Sequence, residues 1–239
     1  MSKKTITIVQ LYPREMNIYG DWGNVLTLGR RLQWHGYAPK VVPYHPGTPF
    51  PKEADIIVGG GGQDSGQNKV QDDLLAIGDR LHALADDHVP MLVICGLYQL
   101  FGRFFRTASG ETIRGIELFK AETIAGPKRL VGNIIIETDF GDVIGYENHS
   151  GLTTLDHDQP AFGRVRKGAG NNGQDKTEGA AYKNVIGSYL HGSILPKNPS
   201  LADAIIEAAV IRKYGEFHPE IIDDRFAEQA RMVAAKRPR

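Results

Sequence analysis

The sequence predicts an α/β fold: a mainly parallel central sheet flanked by helices, with additional antiparallel strands in the second half. Three observations predict it. Short β-branched runs alternate with helical stretches over roughly the first hundred residues. The glycine-rich and polar segments of that region follow strands, which puts them at the C-terminal edge of a parallel sheet, where such folds bind ligands. Beyond residue 130 the strands shorten and succeed one another through turns, the pattern of antiparallel pairing.

Thr5 to Leu11 alternates β-branched residues and reads as the first strand. A polar and aromatic loop follows from Tyr12 to Asn24, in which Asp21 can cap a helix over Trp22 to His35. Ala38 to Tyr44 is the second strand and Asp55 to Val58 the third, running into Gly59-Gly60-Gly61-Gly62-Gln63-Asp64. Glycines there let backbone N–H groups approach a ligand closely, although the spacing is not that of a Walker loop. Val70, Leu74, Ile77, Leu81 and Leu84 recur at helical spacing, so Asn68 to Asp86 reads as one amphipathic helix.

The apolar run Pro90 to Ile94 reads as a buried strand that ends on Cys95, the only cysteine, with Gly96 and a short helix after it. Strand, cysteine and helix in that order resemble a nucleophile elbow, in which a tight turn lifts the thiol above the sheet and the helix N-terminus favours thiolate. A buried free cysteine that only packs is the competing reading. In the second half, Leu130 to Glu137, Gly141 to Tyr146 and Phe162 to Lys167 read as short strands, and Gly168 to Gly173 as a loop. Val185 to Leu190 is a strand leading to His191; Leu201, Ala204, Ile205, Ala208 and Ile211 form a helical stripe; a last helix is expected over Pro219 to Ala234, with a solvated basic tail.

Composition narrows the function. The 239 residues suit one α/β domain spanning 1–239. Lys+Arg and Asp+Glu both total 28, so net charge points neither to nucleic acid nor to anionic membrane. One cysteine makes no internal disulfide, and the N-terminus has no signal-peptide profile. A soluble cytoplasmic protein, with no membrane insertion and no metal site, is the expectation. A cysteine nucleophile needs a base, and His191 follows a strand where sheet geometry puts it at the edge that holds Cys95. His218 competes because His218-Pro219-Glu220 spells a base–acid tripeptide, but it lies between helices in a charged, turn-like context and reads as a decoy.

With Cys95, Gln99, the Gly60 loop and His191 in place, the chain resembles the class I, triad-type glutamine amidotransferases, in their cobyric-acid-synthase-like branch. It is closer still to the glutaminase subunits of bacterial lipid II isoglutaminyl synthases. The likeness runs in order through Tyr12-Pro13, Met16-Asn17-Ile18-Tyr19-Gly20-Asp21, Gly60-Gly61-Gly62-Gln63-Asp64 and Cys95-Gly96-Leu97-Tyr98-Gln99. It continues through Lys128-Arg129-Leu130-Val131-Gly132-Asn133, Gly145-Tyr146-Glu147-Asn148-His149 and Ser188-Tyr189-Leu190-His191-Gly192. The resemblance implies that Cys95 attacks the amide of glutamine and that His191 is the acid–base. It implies that Gly60, Gly61 and Gly96 supply a backbone cradle, that Gln99 lines the site and that Arg129 holds the substrate carboxylate. It further implies a heterodimer with a Mur-ligase-like synthetase subunit that carries the ATP site, this chain having no cofactor, and amidation of D-glutamate in the lipid II stem peptide.

Two positions depart from the pattern: Leu97 stands where elbows carry glycine, and Gly192-Ser193 stands where relatives carry Pro-Glu behind the histidine. The second predicts that the acid behind His191 comes from the partner subunit, with Glu147, Asp64 and Glu178 as in-chain substitutes. A stand-alone cysteine peptidase or γ-glutamyl hydrolase, and a non-catalytic anion-binding module, are the other readings the residues allow.

Overall fold

The computed structural model describes residues 3–237. Its chain order is β1 (Thr5–Leu11), α1 (Gly23–Trp34), β2 (Ala38–Tyr44), β3 (Ile56–Gly59), α2 (Asp64–Ala76), α3 (Gly78–Asp86), β4 (Met91–Ile94) and α4 (Gly96–Phe101). Then come β5 (Phe104–Arg106), β6 (Thr112–Arg114), β7 (Ala121–Thr138), β8 (Gly141–Leu155), β9 (Gly163–Lys167), β10 (Thr177–Glu178), β11 (Ala180–Tyr182), β12 (Val185–Ser188) and β13 (Leu190–His191). Two helices, α5 (Pro199–Tyr214) and α6 (Arg225–Lys236), close the described chain.

The first sheet has six strands in the order β11-β12-β4-β3-β1-β2. All its pairings are parallel except β11 with β12. β3 and β4 are buried at every position, as strands covered on both faces must be. From β1 the chain moves to β2 on one side, and from β3 to β4 on the other. Right-handed crossovers taken in opposite directions place α1 and the α2–α3 pair on opposite faces. Between β1 and β3 lies the resulting switch point, so the loops after those strands open onto one crevice.

The second sheet is built on the hairpin of β7 and β8, with β9 and β5 on the other edge of β7. Its strands are longer than the sequence suggests. Gly126-Pro127 lies inside the hairpin because a bulge absorbs it. Residues 126–129 oppose Ser150 alone, between the pairs Ala125–Gly151 and Leu130–His149. The sheets are joined at residues 188–190: β12 ends at Ser188, and β13 pairs with β8 instead. Apolar side chains from both sheets, from Ile6 and Val93 to Ile134 and Val143, belong to one buried cluster.

Two helices differ from expectation. The stretch read as one helix over Asn68 to Asp86 is two, α2 and α3, meeting at Ile77, whose φ of −95° and ψ of 2° are not helical. Gly78 is a poor helix former, and it packs so close to Ile116 that a Cβ there would lie 3.2 Å from the isoleucine methyl. The last helix begins at Arg225 and not at Pro219. The preceding segment is drawn to α1: the Glu220 N–H donates to His35 Nδ1, and Asp224 binds Arg31. Pro238 and Arg239 of the expected basic tail lie outside the described residues.

Arg31 is a buried guanidinium forked between Asp203 of α5 and Asp224, with contacts of 2.6–2.9 Å. Removing it leaves two partly buried carboxylates facing each other. Arg31→Ala should therefore cost about 2–3 kcal/mol of unfolding free energy. The check is a lowered urea midpoint at unchanged m-value.

Candidate active site

Cys95 occupies the turn between β4 and α4 with φ 48° and ψ −102°, a region that side-chain-bearing residues rarely adopt. The strain is held from both sides. The Cys95 N–H donates to Ser188 O at the end of the neighbouring parallel strand (2.8 Å), and its carbonyl accepts from Gln99 N–H (2.9 Å). Gly96 makes the turn possible: a Cβ there would lie 2.9 Å from the Gly62 nitrogen. Leu97, unexpected at an elbow, is accommodated by another glycine, since a Cβ at Gly59 would meet the Leu97 methyl at 2.3 Å.

His191 lies beside the elbow because β12 is the parallel neighbour of β4, with Ser188 in register with Ile94. Gly61 packs between the two: a Cβ on it would lie 2.7 Å from His191 Cε1 and 3.1 Å from Cys95 Cβ. The acid behind the imidazole is in this chain and is none of the three substitutes named above. Asp21 faces His191 Nδ1 at 3.2 and 3.3 Å, and both side chains are buried. Asp21 does not cap α1 through its side chain, as the sequence suggested. The carboxylate turns inward, accepting also from Gly61 N–H at 2.8 Å, while Asn17 accepts from Trp22 N–H.

The other carboxylates are committed elsewhere. Glu147 accepts from Ala169 and Gly170 N–H, and Glu178 from Tyr189 N–H at 2.7 Å and the Ser188 hydroxyl. Burial pushes Glu178 up to about 8 against those donors. Asp64 is exposed at the start of α2. Ser193 donates to Gly20 O at 2.8 Å and so anchors the loop that carries Asp21. His218 is exposed and pairs with Glu216.

Burial disfavours charge on His191. The Cys95 sulfur and the Asp21 carboxylate outweigh it and push the imidazole up to about 10. A hydrogen bond between the ring and Cys95 adds to the rise. Tyr19 packs edge-on against the ring at 5.0 Å between centroids.

A cavity of about 170 Å³ opens on Cys95, lined by residues that include Ile18, Tyr19, Gly62, Gln63, Asp64, Gln99, Arg129, Asn148 and His149. That is smaller than the roughly 300–1,000 Å³ of sites for drug-sized ligands and suits an amino acid. Arg129 reaches it from the bulge in β7. Its guanidinium is placed by Asn148, donating to the side-chain and main-chain oxygens at 2.9 and 3.0 Å, and Asn148 in turn donates to Tyr19 OH. Gln99 is buried, accepting from Gln67 Nε2 at 2.8 Å and donating to Tyr189 OH. Of the glycine loop, Gly62 lines the cavity. Gly60 packs on the Met16 carbonyl and Gly61 spends its N–H on Asp21, so neither faces the cavity. Among the described residues, no group of three or more His, Cys, Asp and Glu side chains could hold a metal ion. No described helix is long and apolar enough to cross a membrane.

Because His191 is raised above its ordinary 6.5, its pairing stabilises the fold fully below about pH 6.5 and is lost as pH rises through about 10. Asp21→Asn should lower the NMR titration midpoint of His191 by roughly one unit or more. The stability gap between variant and wild type should narrow as pH climbs toward 10.

The CobB/CobQ-like glutamine amidotransferase domain matches residues 7–199. The chain is 38% identical over 235 residues to the lipid II isoglutaminyl synthase (glutamine-hydrolyzing) subunit GatD of Staphylococcus aureus (strain N315), covering 97% of this chain and 96% of that one. It is 36% identical over 243 residues to the subunit of the same name from Streptococcus pneumoniae (strain ATCC BAA-255 / R6), covering 97% and 92%. Among solved structures, a glutamine amidotransferase superposes with a TM-score of 0.59 at 13% identity, covering 84% of this chain and 98% of that chain. A chain of PurLQS from Thermotoga maritima gives 0.53 at 16% identity, covering 86% and 98%; these two likenesses bear on the fold alone. This chain belongs to the CobB/CobQ-like glutamine amidotransferase family.

Proposed function

We propose that this protein is the glutaminase subunit of an amide-forming ligase, working through Cys95, His191 and Asp21. The observation that carries the reading is a strained cysteine on a cavity sized for an amino acid, with a buried histidine and its carboxylate paired beside the elbow. In the reaction, the Cys95 sulfur attacks the side-chain amide carbon of glutamine. Backbone N–H groups at Gly96 and Gly62 receive the oxyanion, Gly62 taking the part first assigned to Gly60. His191 gives its proton to the leaving nitrogen, the C–N bond breaks, and ammonia departs from a glutamyl thioester. Water then attacks the thioester, His191 takes the water proton, and glutamate leaves with the thiol restored. Asp21 holds Nδ1–H throughout and stabilises the imidazolium. Arg129 binds the α-carboxylate with two parallel N–H donors.

Its relatives are named as subunits of lipid II isoglutaminyl synthase. By that likeness the released ammonia passes to a Mur-ligase-like partner, which activates the D-glutamate carboxyl of the lipid II stem peptide with ATP on the cytoplasmic side. The cavity volume disfavours a peptidase, whose substrate would need an extended groove. With Asp21 already on His191, hydrolysis does not need a carboxylate from the partner.

The direct test is intact mass after treatment with an electrophilic glutamine analogue, expected to give one adduct on Cys95 that vanishes in Cys95→Ser. His191→Ala should lose at least about 10²-fold in kcat, with His218→Ala near wild type. Arg129→Ala should lose roughly tenfold or more in kcat/KM for glutamine. Labelling at another residue, or full turnover by Cys95→Ser, would overturn the proposal.

A further inference from the structure

Tyr19 is strained and only half-buried, yet it is held from both sides. Its φ of 58° and ψ of 18° are left-handed, a conformation that an aromatic residue rarely adopts. The residues flanking it fix that conformation: the Ile18 N–H donates to Gly61 O at 2.9 Å, and Gly20 O accepts from the Ser193 hydroxyl at 2.8 Å. The Tyr19 ring lies edge-on to His191, with 5.0 Å between centroids and 78° between planes. Its hydroxyl meets a residue 129 positions away, accepting from Asn148 Nδ2 at 2.8 Å. The direction of that bond is fixed. A guanidinium only donates, and Arg129 donates to Asn148 Oδ1 through Nε at 3.1 Å and through Nη2 at 2.9 Å, so the amide must turn its nitrogen to the tyrosine.

Arg129 is exposed, and a long exposed side chain keeps its rotamer freedom unless something orders it. Asn148 orders it, and Tyr19 in turn orders Asn148. All three line the Cys95 cavity, Tyr19 from the loop after β1 and the other two from the β7–β8 hairpin. Tyr19 thus joins the two sheets at the cavity, touching both the residue that orders the guanidinium and the imidazole that moves the proton. Resting on the glutaminase reading, in which Arg129 takes the α-carboxylate of glutamine, we propose that Tyr19 is a positioning residue with two separable parts. Its hydroxyl holds Asn148, and through it the Arg129 fork, in the geometry that receives the carboxylate; its ring seats the His191 imidazole. A bond that merely stitched the sheets together would not distinguish substrates with and without the carboxylate, whereas this one must.

The experiment compares hydrolysis of L-glutamine and of 4-aminobutanamide, the same molecule without the α-carboxylate, by the protein assembled with its synthetase subunit. Tyr19→Phe keeps the ring and deletes the hydroxyl. It should raise KM for glutamine roughly fivefold with little change in kcat, and the rise should be absent for 4-aminobutanamide, which brings no carboxylate to Arg129. Placed on Arg129→Ala, the same change should cost nothing further, because the fork it holds is gone. Tyr19→Leu removes the ring as well and should lower kcat on both substrates about two- to tenfold, the worth of an edge-on aromatic contact. Should Tyr19→Leu disturb the loop, calorimetric binding of glutamine to Cys95→Ser and to the Cys95→Ser/Tyr19→Phe double variant tests the hydroxyl by itself, with roughly fivefold weaker binding expected in the double variant. Equal losses on both substrates in Tyr19→Phe, an undiminished loss on Arg129→Ala, unchanged glutamine binding, or an unchanged kcat in Tyr19→Leu would overturn the proposal while leaving the glutaminase reading intact. Absence of glutamine turnover in the wild-type complex, with no labelling of Cys95, would remove both.

Discussion

The site depends on one buried carboxylate shared by three strand ends. Asp21 comes from the loop after β1, Gly61 from the loop after β3, and His191 from β13. A carboxylate out of water is tolerable only when its oxygens are occupied by donors. Asp21 meets that condition through the Gly61 N–H and the His191 ring. The same demand that keeps the charge stable therefore holds the glycine loop and the imidazole in register with Cys95, and it explains why the Asp21 loop is tied down again by Ser193 on Gly20.

Two buried histidines near the same elbow take different protonation states, and their charged neighbours decide which. His191 sees a sulfur and a carboxylate and is pushed up to about 10; burial pushes His149 down to about 4 against the carbonyls of Gly151 and Gly170, with the charges of His191 and Arg129 adding to the effect. Burial disfavours the cation in both, so it cannot be the cause of the difference.

The joint between the two sheets makes this pocket possible. A chain that continued straight past Ser188 would extend the first sheet and carry His191 away. Instead Glu178 fastens Ser188 and Tyr189, and the next residues pair with Glu147 and Tyr146 of the second sheet. That brings β8, with Asn148 and His149, against the elbow, and the bulge in β7 turns Arg129 to the same place.

Much of this is local and was legible in the sequence. Strands in the first half announce themselves by β-branched runs, the parallel order by the alternation with helices, and the elbow by a strand that ends on Cys95 with Gly96 behind it, because each depends on neighbours in the chain. His191 could be placed because the sequence reads a strand from Val185 to Leu190 that leads straight to it, and strand ends share an edge. What the sequence left undecided are pairings across long separations. Asp21 reads locally as a helix cap, and only the packing of residues 170 positions apart turns its carboxylate onto His191. The strand read from Leu130 begins at Ala121, and only the register of β8 shows the bulge that carries it past Gly126-Pro127. The protonation of His149 follows from burial and from Gly151, Arg129 and His191 around it. The sequence by itself determined which residues could do chemistry and at which edge of the sheet most of them stand. The tertiary structure decided which carboxylate meets which histidine, because a buried charge takes whichever donors the fold brings within reach.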